Sequence, residues 1–215
     1  MNKLAVFDFD STLMDGETID FLAKELGFEE KVAQITKRAM AGELDFFDSL
    51  IERVALLKGL QENKVNEICQ NLPLINGAKE AITSLKEQGF VVACFSGGFR
   101  NATKPICANL GIDADFSNYL HAKDGILTGL VGGEMMFSDS KGKMLQRLQS
   151  LLNISKEKTI VVGDGANDLS MFKYAKTRVA FCAKPILKEA ATDIVDIKDL
   201  REVAKIGKEI ENWKL

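Results

Sequence analysis

The sequence predicts an α/β fold: a doubly wound, mainly parallel sheet with an inserted helical cap and a small β-hairpin flap. Three observations carry this reading. Runs of strand length such as Leu4 to Phe7, Val91 to Phe95 and Thr159 to Val162 are apolar without alternation, as in strands covered on both faces. Stretches of helical spacing separate them, and parallel strands need such crossovers. Between the first two runs lie about sixty residues of helical spacing, far more than a crossover uses, so the excess reads as an inserted unit. The division expected is a core of residues 1–14 and 74–215 with a cap of residues 15–73.

Taken in order, Leu4-Ala-Val-Phe7 is the first strand, and it ends in Asp8 and Asp10. Ile19, Leu22, Ala23 and Leu26 follow the i, i+3, i+4, i+7 pattern and stop at Gly27. Val32, Ile35 and Ala39 continue on a second helix ending near Gly42. A third runs from about Asp45 to Lys58 with Phe46, Phe47, Leu50, Ile51, Val54 and Leu57 on its apolar side. A fourth carries Val65, Ile68, Cys69 and Leu72 and ends at Pro73. Ala78, Ala81, Ile82 and Leu85 form a crossover helix closed by Gly89. It leads into the second strand, after which Ser96-Gly97-Gly98 is expected to open a helix. Lys123-Asp124-Gly125 suits a hairpin turn between short strands. A helix from about Ser140 to Leu152 precedes strands at Thr159 to Val162, Arg178 to Cys182 and Asp193 to Asp196.

Composition narrows the functional classes. The 215 residues can bury a full core, and 46% hydrophobic with 27% charged residues is ordinary for a globular protein. A net charge of −3 gives no electrostatic reason to expect nucleic acid or an anionic membrane as partner. The four cysteines contain no CxxC pair and read as buried reduced thiols. No apolar stretch is long enough to span a bilayer. With the first strand starting near Met1, no signal peptide is expected, and the expected location is cytoplasmic. His121 is the single histidine, so a histidine-based scheme would rest on it alone.

The chemistry is concentrated where three predicted strands end, the edge at which such sheets bind ligands. Asp8 and Asp10 stand at i and i+2 and project to one side of an extended chain. Ser96-Gly97-Gly98 offers a hydroxyl and backbone amides suited to an anion. Gly163-Asp-Gly-Ala-Asn-Asp168 places Asp164 directly at the third strand end. Each motif alone is an ordinary turn. Together they set several carboxylates beside an anion site, an arrangement that needs a hard divalent cation, and all-oxygen ligation points to Mg²⁺. Lys141, in the first turn of its helix, opposes the helix dipole unless it serves an anion; it is favoured over Lys143, with Gly142 allowing close backbone approach. Arg53 falls on the apolar ridge of Phe46, Leu50 and Leu57, so it either snorkels outward or meets an anion in a cleft. Glu17, favoured by its helix dipole in any case, would face an ammonium group if it belongs to the site.

The sequences DFDST, SGGF, KGKML and GDGANDLSMF, in this order, resemble the four motifs of the haloacid dehalogenase superfamily. The segments ETID, RVALLKGL and AFCAKPILKEA resemble those of its members that dephosphorylate phosphoserine. The resemblance covers nearly the whole chain and implies a Rossmann-like core and Mg²⁺-dependent hydrolysis of O-phospho-L-serine, the last step of serine biosynthesis. It implies Asp8 as nucleophile, forming an aspartyl-phosphate, and Asp10 as general acid and base. It places one Mg²⁺ on the Asp8 carboxylate, the Asp10 backbone carbonyl and Asp164, with Asp168 orienting that shell. Ser96, Gly97, Lys141 and Asn167 would hold the phosphoryl oxygens, Glu17 the substrate ammonium and Arg53 its carboxylate. Met40 and Phe46 would wall the pocket. The partner implied is a small molecule, with no nucleic acid or membrane, and the chain is expected as monomer or homodimer.

Two rivals follow from the same residues. One is a phosphatase or phosphotransferase of this superfamily acting on another small phosphomonoester; Glu17 with Arg53 argues against substrates lacking an amine or a carboxylate. The other is a receiver-like module phosphorylated on an aspartate; Asp10 and the helical insertion argue against it.

Overall fold

The structure, a computed structural model, describes residues 3–209. The chain runs β1 (Lys3–Phe7), α1 (Thr18–Glu25), α2 (Glu29–Met40), α3 (Phe46–Ala55), α4 (Glu62–Gln70), α5 (Ala78–Glu87), β2 (Phe90–Phe99), α6 (Arg100–Leu110), β3 (Ala114–Lys123), β4 (Ile126–Gly133), α7 (Ser140–Leu152), β5 (Thr159–Gly163), α8 (Leu169–Phe172), β6 (Thr177–Phe181), α9 (Pro185–Ala190), β7 (Asp193–Val195) and α10 (Arg201–Glu209). Among the described residues the strands form one seven-stranded sheet in the order β4-β3-β2-β1-β5-β6-β7. Every pair is parallel except the β3–β4 hairpin.

Alternation along the central strands explains the two-sided burial. Ala5 and Phe7 of β1, with Val92 and Cys94 of β2 and Ile160 and Val162 of β5, pack toward α5, α6 and α10. Leu4 and Val6, with Ala93, Phe95 and Val161, pack on the other face toward α7, α8 and α9. A doubly wound sheet follows, because each strand must satisfy a helix layer on both sides.

Helices α1–α4 lie between β1 and α5 in sequence, and their apolar residues (Leu22, Leu50, Val54 and Val65 among them) join the first of these two clusters. The chain leaves and returns through one short antiparallel ribbon. Asp15 N–H bonds the Pro73 carbonyl at 2.8 Å and Ile75 N–H bonds the Leu13 carbonyl at 2.9 Å. The segment before α10 braces this ribbon: Lys198 pairs with Asp15 at 2.5 Å, and Asn76 donates to Asp199 at 3.1 Å. At the far end of the helical insertion, Gly59 and Glu62 N–H donate to Leu127 and Gly125 carbonyls at the hairpin tip, each at 2.9 Å.

Several details differ from the sequence reading. The expected hairpin forms, with Asp124 and Gly125 at φ of 51° and 75°, but β3 also pairs parallel with β2, so the hairpin continues the main sheet. Ser96–Phe99 does not open a helix: it prolongs β2 past a register irregularity, and α6 starts at Arg100. The short helices α8 and α9 and the terminal α10 complete the chain between and after the last strands. Cys182 is exposed, because the backbone turns to φ 44° directly after β6 and swings the side chain out; Cys69, Cys94 and Cys107 are buried, as expected.

Candidate active site

Asp8 continues β1 by one residue: its N–H bonds the Val162 carbonyl of β5 at 2.9 Å, and its own Oδ1 accepts from Phe9 N–H at 2.7 Å. The chain then folds into a tight turn in which the Phe9 carbonyl accepts from Leu13 and Met14, with Ser11 at φ 57°. This turn sets Asp10 against the first residue of α1. Asp10 Oδ1 accepts both the N–H of Thr18, at 2.7 Å, and its hydroxyl, at 2.5 Å.

Asp164 follows the last residue of β5, and Asp168 ends a 3-10 turn, Ala166–Asp168. The Asp168 carboxylate folds back on the strand end, accepting Asp164 and Gly165 N–H at 3.0 and 3.1 Å. Gly163 is compulsory here, since a Cβ would stand 2.2 Å from Asp168 Oδ2. Lys141, the second residue of α7, reaches into the same place: its Nζ lies 2.6 Å from Asp8 Oδ1 and 2.7 Å from Asp168 Oδ1. The unfavourable placement in the first helical turn is offset by these two carboxylates, and the whole trio is buried. Gly142 serves another purpose than expected. Its close approach is to Ser170, whose hydroxyl accepts the Gly142 N–H at 3.1 Å and whose carbonyl a Cβ would strike at 2.5 Å.

On the β2 side, Ser96 is fully buried and its hydroxyl accepts Gly98 N–H at 2.9 Å. Neither Gly97 nor Gly98 has a positive φ. Their small size is what matters: a Cβ at Gly97 would sit 2.7 Å from the Phe46 ring, and one at Gly98 would sit 2.6 Å from Asp10 Oδ2. Asn167 is half-buried in the 3-10 turn beside Asp168.

The segment of α1 to α3 carries the remaining residues expected at the site. Glu17 immediately precedes α1 and accepts from the Ser11 hydroxyl at 3.1 Å. Arg53, half-buried on α3, donates its Nε to the Ser49 carbonyl at 3.1 Å. Phe46 covers Gly97, while Phe47 stacks on Phe137 of the loop before α7, with ring centroids 5.2 Å apart. Met40 ends α2 on the surface, 73% exposed.

The electrostatics report an unmet charge. Burial, and then Asp168, push the Asp8 carboxyl well above its ordinary range despite Lys141. Burial and Asp168 likewise raise Asp164 to about 6. Burial raises Asp10 against the two Thr18 hydrogen bonds. Glu17 is pushed up to about 8 by burial, Asp10 and Asp164. Lys141 stays firmly charged because Asp168 and Asp8 outweigh its burial, whereas burial lowers Arg53. One buried ammonium cannot neutralise these carboxylates. Oxygen atoms of Asp8, Asp164 and Asp168 lie within 4.8 Å of one another, and both Asp168 oxygens are already engaged. The set therefore fits a hard divalent cation between Asp8 and Asp164, with Asp168 bracing the lysine and the loop.

Two contributors escaped the sequence reading. Thr18 was one member of the ETID segment, with nothing to mark it as the partner of Asp10. Asn118 of β3 holds the Gly97 carbonyl at 3.0 Å and both backbone groups of Met135, bracing the SGG strand against the loop after β4. Its only signal was an amide inside a strand pattern.

Residues 2–176 match the family model described as haloacid dehalogenase-like hydrolase. The chain is 64% identical over 201 residues to the phosphoserine phosphatase of Wolinella succinogenes, covering 94% of this chain and 98% of that protein. Among solved structures, a substrate-bound phosphoserine phosphatase complex superposes with a TM-score of 0.91 at 49% identity, over 96% of this chain and 98% of that one. A phospho-aspartyl intermediate analogue of phosphoserine phosphatase gives 0.90 at 50% identity, over 95% and 98%.

Proposed function

The chain belongs to the haloacid dehalogenase-like hydrolase family, and within it we propose a phosphoserine phosphatase that hydrolyses O-phospho-L-serine to L-serine and phosphate. The observation that carries the reading is the buried Asp8–Lys141–Asp168 triad at the carboxyl ends of β1 and β5, with Asp10 and Asp164 beside it.

Asp8 is the nucleophile. A carboxylate oxygen attacks phosphorus, the bond from phosphorus to the serine oxygen breaks, and an aspartyl-phosphate forms. Asp10 gives its proton to the departing serine oxygen. It then takes a proton from the water that attacks phosphorus and frees Asp8. Its position between Thr18 and Gly98 points Oδ2 toward the Ser96–Gly98 strand, where the phosphoryl group would lie. Lys141, Ser96, the Gly97 amide and Asn167 hold the phosphoryl oxygens as charge develops. Mg²⁺ would be held by the Asp8 carboxylate, the Asp10 carbonyl and Asp164, and it supplies the positive charge that lets Asp8 stay ionised beside a phosphate. Glu17 binds the substrate ammonium and Arg53 its carboxylate, with Phe46 walling the pocket. Residues 15–73 act as a cap that excludes bulk water over the core of 1–14 and 74–215.

The test is phosphate release with Mg²⁺ from L-phosphoserine, phosphoethanolamine and p-nitrophenyl phosphate, side by side. Strong preference for phosphoserine, abolished by chelation, is expected. Equal rates on all three would retain the phosphatase and remove Glu17 and Arg53 as the specificity pair.

A further inference from the structure

The general acid is held by the cap. Asp10 belongs to the turn after β1, yet both protein hydrogen bonds to its Oδ1 come from Thr18, the first residue of α1, through the backbone N–H at 2.7 Å and the hydroxyl at 2.5 Å. No side chain caps α1 from its own N-terminal position; Glu17 stands there without a capping bond, and the Asp10 carboxylate accepts the Thr18 N–H, which has no acceptor within the helix. Thr18 is buried to 1% exposure, so water does not compete for these bonds. The other carboxylate oxygen is confined as well, since Gly98 passes so close that a Cβ would lie 2.6 Å away. A carboxylate bonded at one oxygen and walled at the other has one orientation.

We propose that Thr18 is a positioning residue that aims Asp10 at the leaving-group oxygen, so that seating the first cap helix is what makes the acid competent. The proposal rests on the phosphatase reading above. It also gives substrate recognition a short path to the chemistry. Glu17, assigned to the substrate ammonium, is joined to Thr18 by one peptide bond, so a ligand that draws Glu17 into place carries the Asp10 partner with it.

The test uses leaving-group dependence in the full chain. Thr18→Val keeps the shape and the backbone N–H but removes the hydroxyl, and Thr18→Ser restores it. With phosphoserine, whose alkoxide needs a proton to leave, Thr18→Val should lower kcat by about 10- to 100-fold with KM changed by less than about twofold. With p-nitrophenyl phosphate, nitrophenolate leaves as a stable anion without a proton. The same variant should therefore release a rapid burst of nitrophenolate stoichiometric with enzyme, then turn over slowly. In that second step water bonds phosphorus, the bond to Asp8 breaks, and misplaced Asp10 must accept the proton. Thr18→Ser should recover most of both rates. Burst and steady state slowed equally, or no recovery in Thr18→Ser, would overturn the proposal and leave Thr18 a packing residue. If Thr18→Val does not melt as a folded protein, Thr18→Ala carries the same comparison. A protein inert toward phosphoserine that still shows this split on the aryl phosphate would lose the substrate assigned above and keep the positioning role.

Discussion

The two sides of the candidate site are built differently. On the sheet side, the Asp8, Lys141 and Asp168 side chains are 5%, 4% and 0% exposed and bond directly to one another at 2.6 and 2.7 Å. On the cap side, Glu17 and Arg53 are half-buried and occupied with neighbours along their own chain, Ser11 and the Ser49 carbonyl. The sheet wall is preorganised: its charges are placed before any ligand arrives, so no reorganisation is left for the reaction. The cap wall holds its charges in reserve. Under the proposed function, Glu17 and Arg53 would exchange these internal partners for the ammonium and carboxylate of the substrate, which would suit recognition by a part that also opens.

The sharpest way to break this comparison is at Asp8, the proposed nucleophile. Asp8→Asn keeps the shape and the acceptor for Phe9 N–H, so the fold should persist while turnover falls roughly 10⁴-fold or more in a phosphate-release assay. Phosphate release at a normal rate would remove Asp8 from its role.

Replacing the cation on each wall with methionine compares them directly. Lys141→Met leaves Asp8 and Asp168 buried without their partner, and should destabilise the Mg²⁺-free protein by about 3–5 kcal/mol in urea unfolding. Activity should drop about 10²- to 10³-fold. Arg53→Met should change stability by less than about 1 kcal/mol. Similar stability losses in the two variants would erase the distinction drawn here.

Arg53→Ala should lower kcat/KM for phosphoserine by about 10- to 100-fold, from loss of a charge-assisted hydrogen bond, while p-nitrophenyl phosphate is scarcely affected. Equal losses on both would make Arg53 structural.

The smallest effect is in pH dependence. In the folded, ligand-free protein Glu17 titrates near 8 instead of 4.5, so the folded state binds its proton more tightly than the unfolded chain. Stability is therefore lost as pH rises from about 4.5 through about 8, and Asp8, Asp10 and Asp164 push in the same direction. The Mg²⁺-free protein should melt at a lower temperature at pH 8 than at pH 5.5. Glu17→Gln should narrow that gap by about 2–4 °C, the shift that about 1 kcal/mol makes in a chain of this size. A gap unchanged in Glu17→Gln would mean Glu17 is already ionised in the free protein.

How much of this was legible in the sequence depended on whether the determinant was local. The strands at Leu4 to Phe7 and Thr159 to Val162 were visible because two-sided burial leaves an uninterrupted apolar run. The carboxylates at their ends were visible because a charged group there needs a reason. Ser96–Phe99 misled because Gly-Gly reads as a turn. In the fold those glycines are required by Phe46 and Asp10, residues 51 and 88 positions away from Gly97 and Gly98 respectively. Gly142 misled in the same way, its neighbour being Ser170. Cys182 sat in an apolar run, but the strand stops at Phe181 and a positive φ turns the thiol outward. Thr18 could not be read at all, because its role exists only once the turn after β1 brings Asp10 back to the start of α1.

The position of β1 in the sheet also sets a timetable for synthesis. β1 needs β2 on one side, in register from Lys3 with Phe90, and β5 on the other, from Leu4 with Thr159. Its second neighbour leaves the ribosome about 150 residues after it does, roughly 8–30 s later at 5–20 residues per second. Throughout that interval the apolar Leu4-Ala-Val-Phe7 segment has an unpaired edge, a template for association with other nascent chains. The strand that leads into Asp8 is thus the one most in need of a chaperone while the chain is being made.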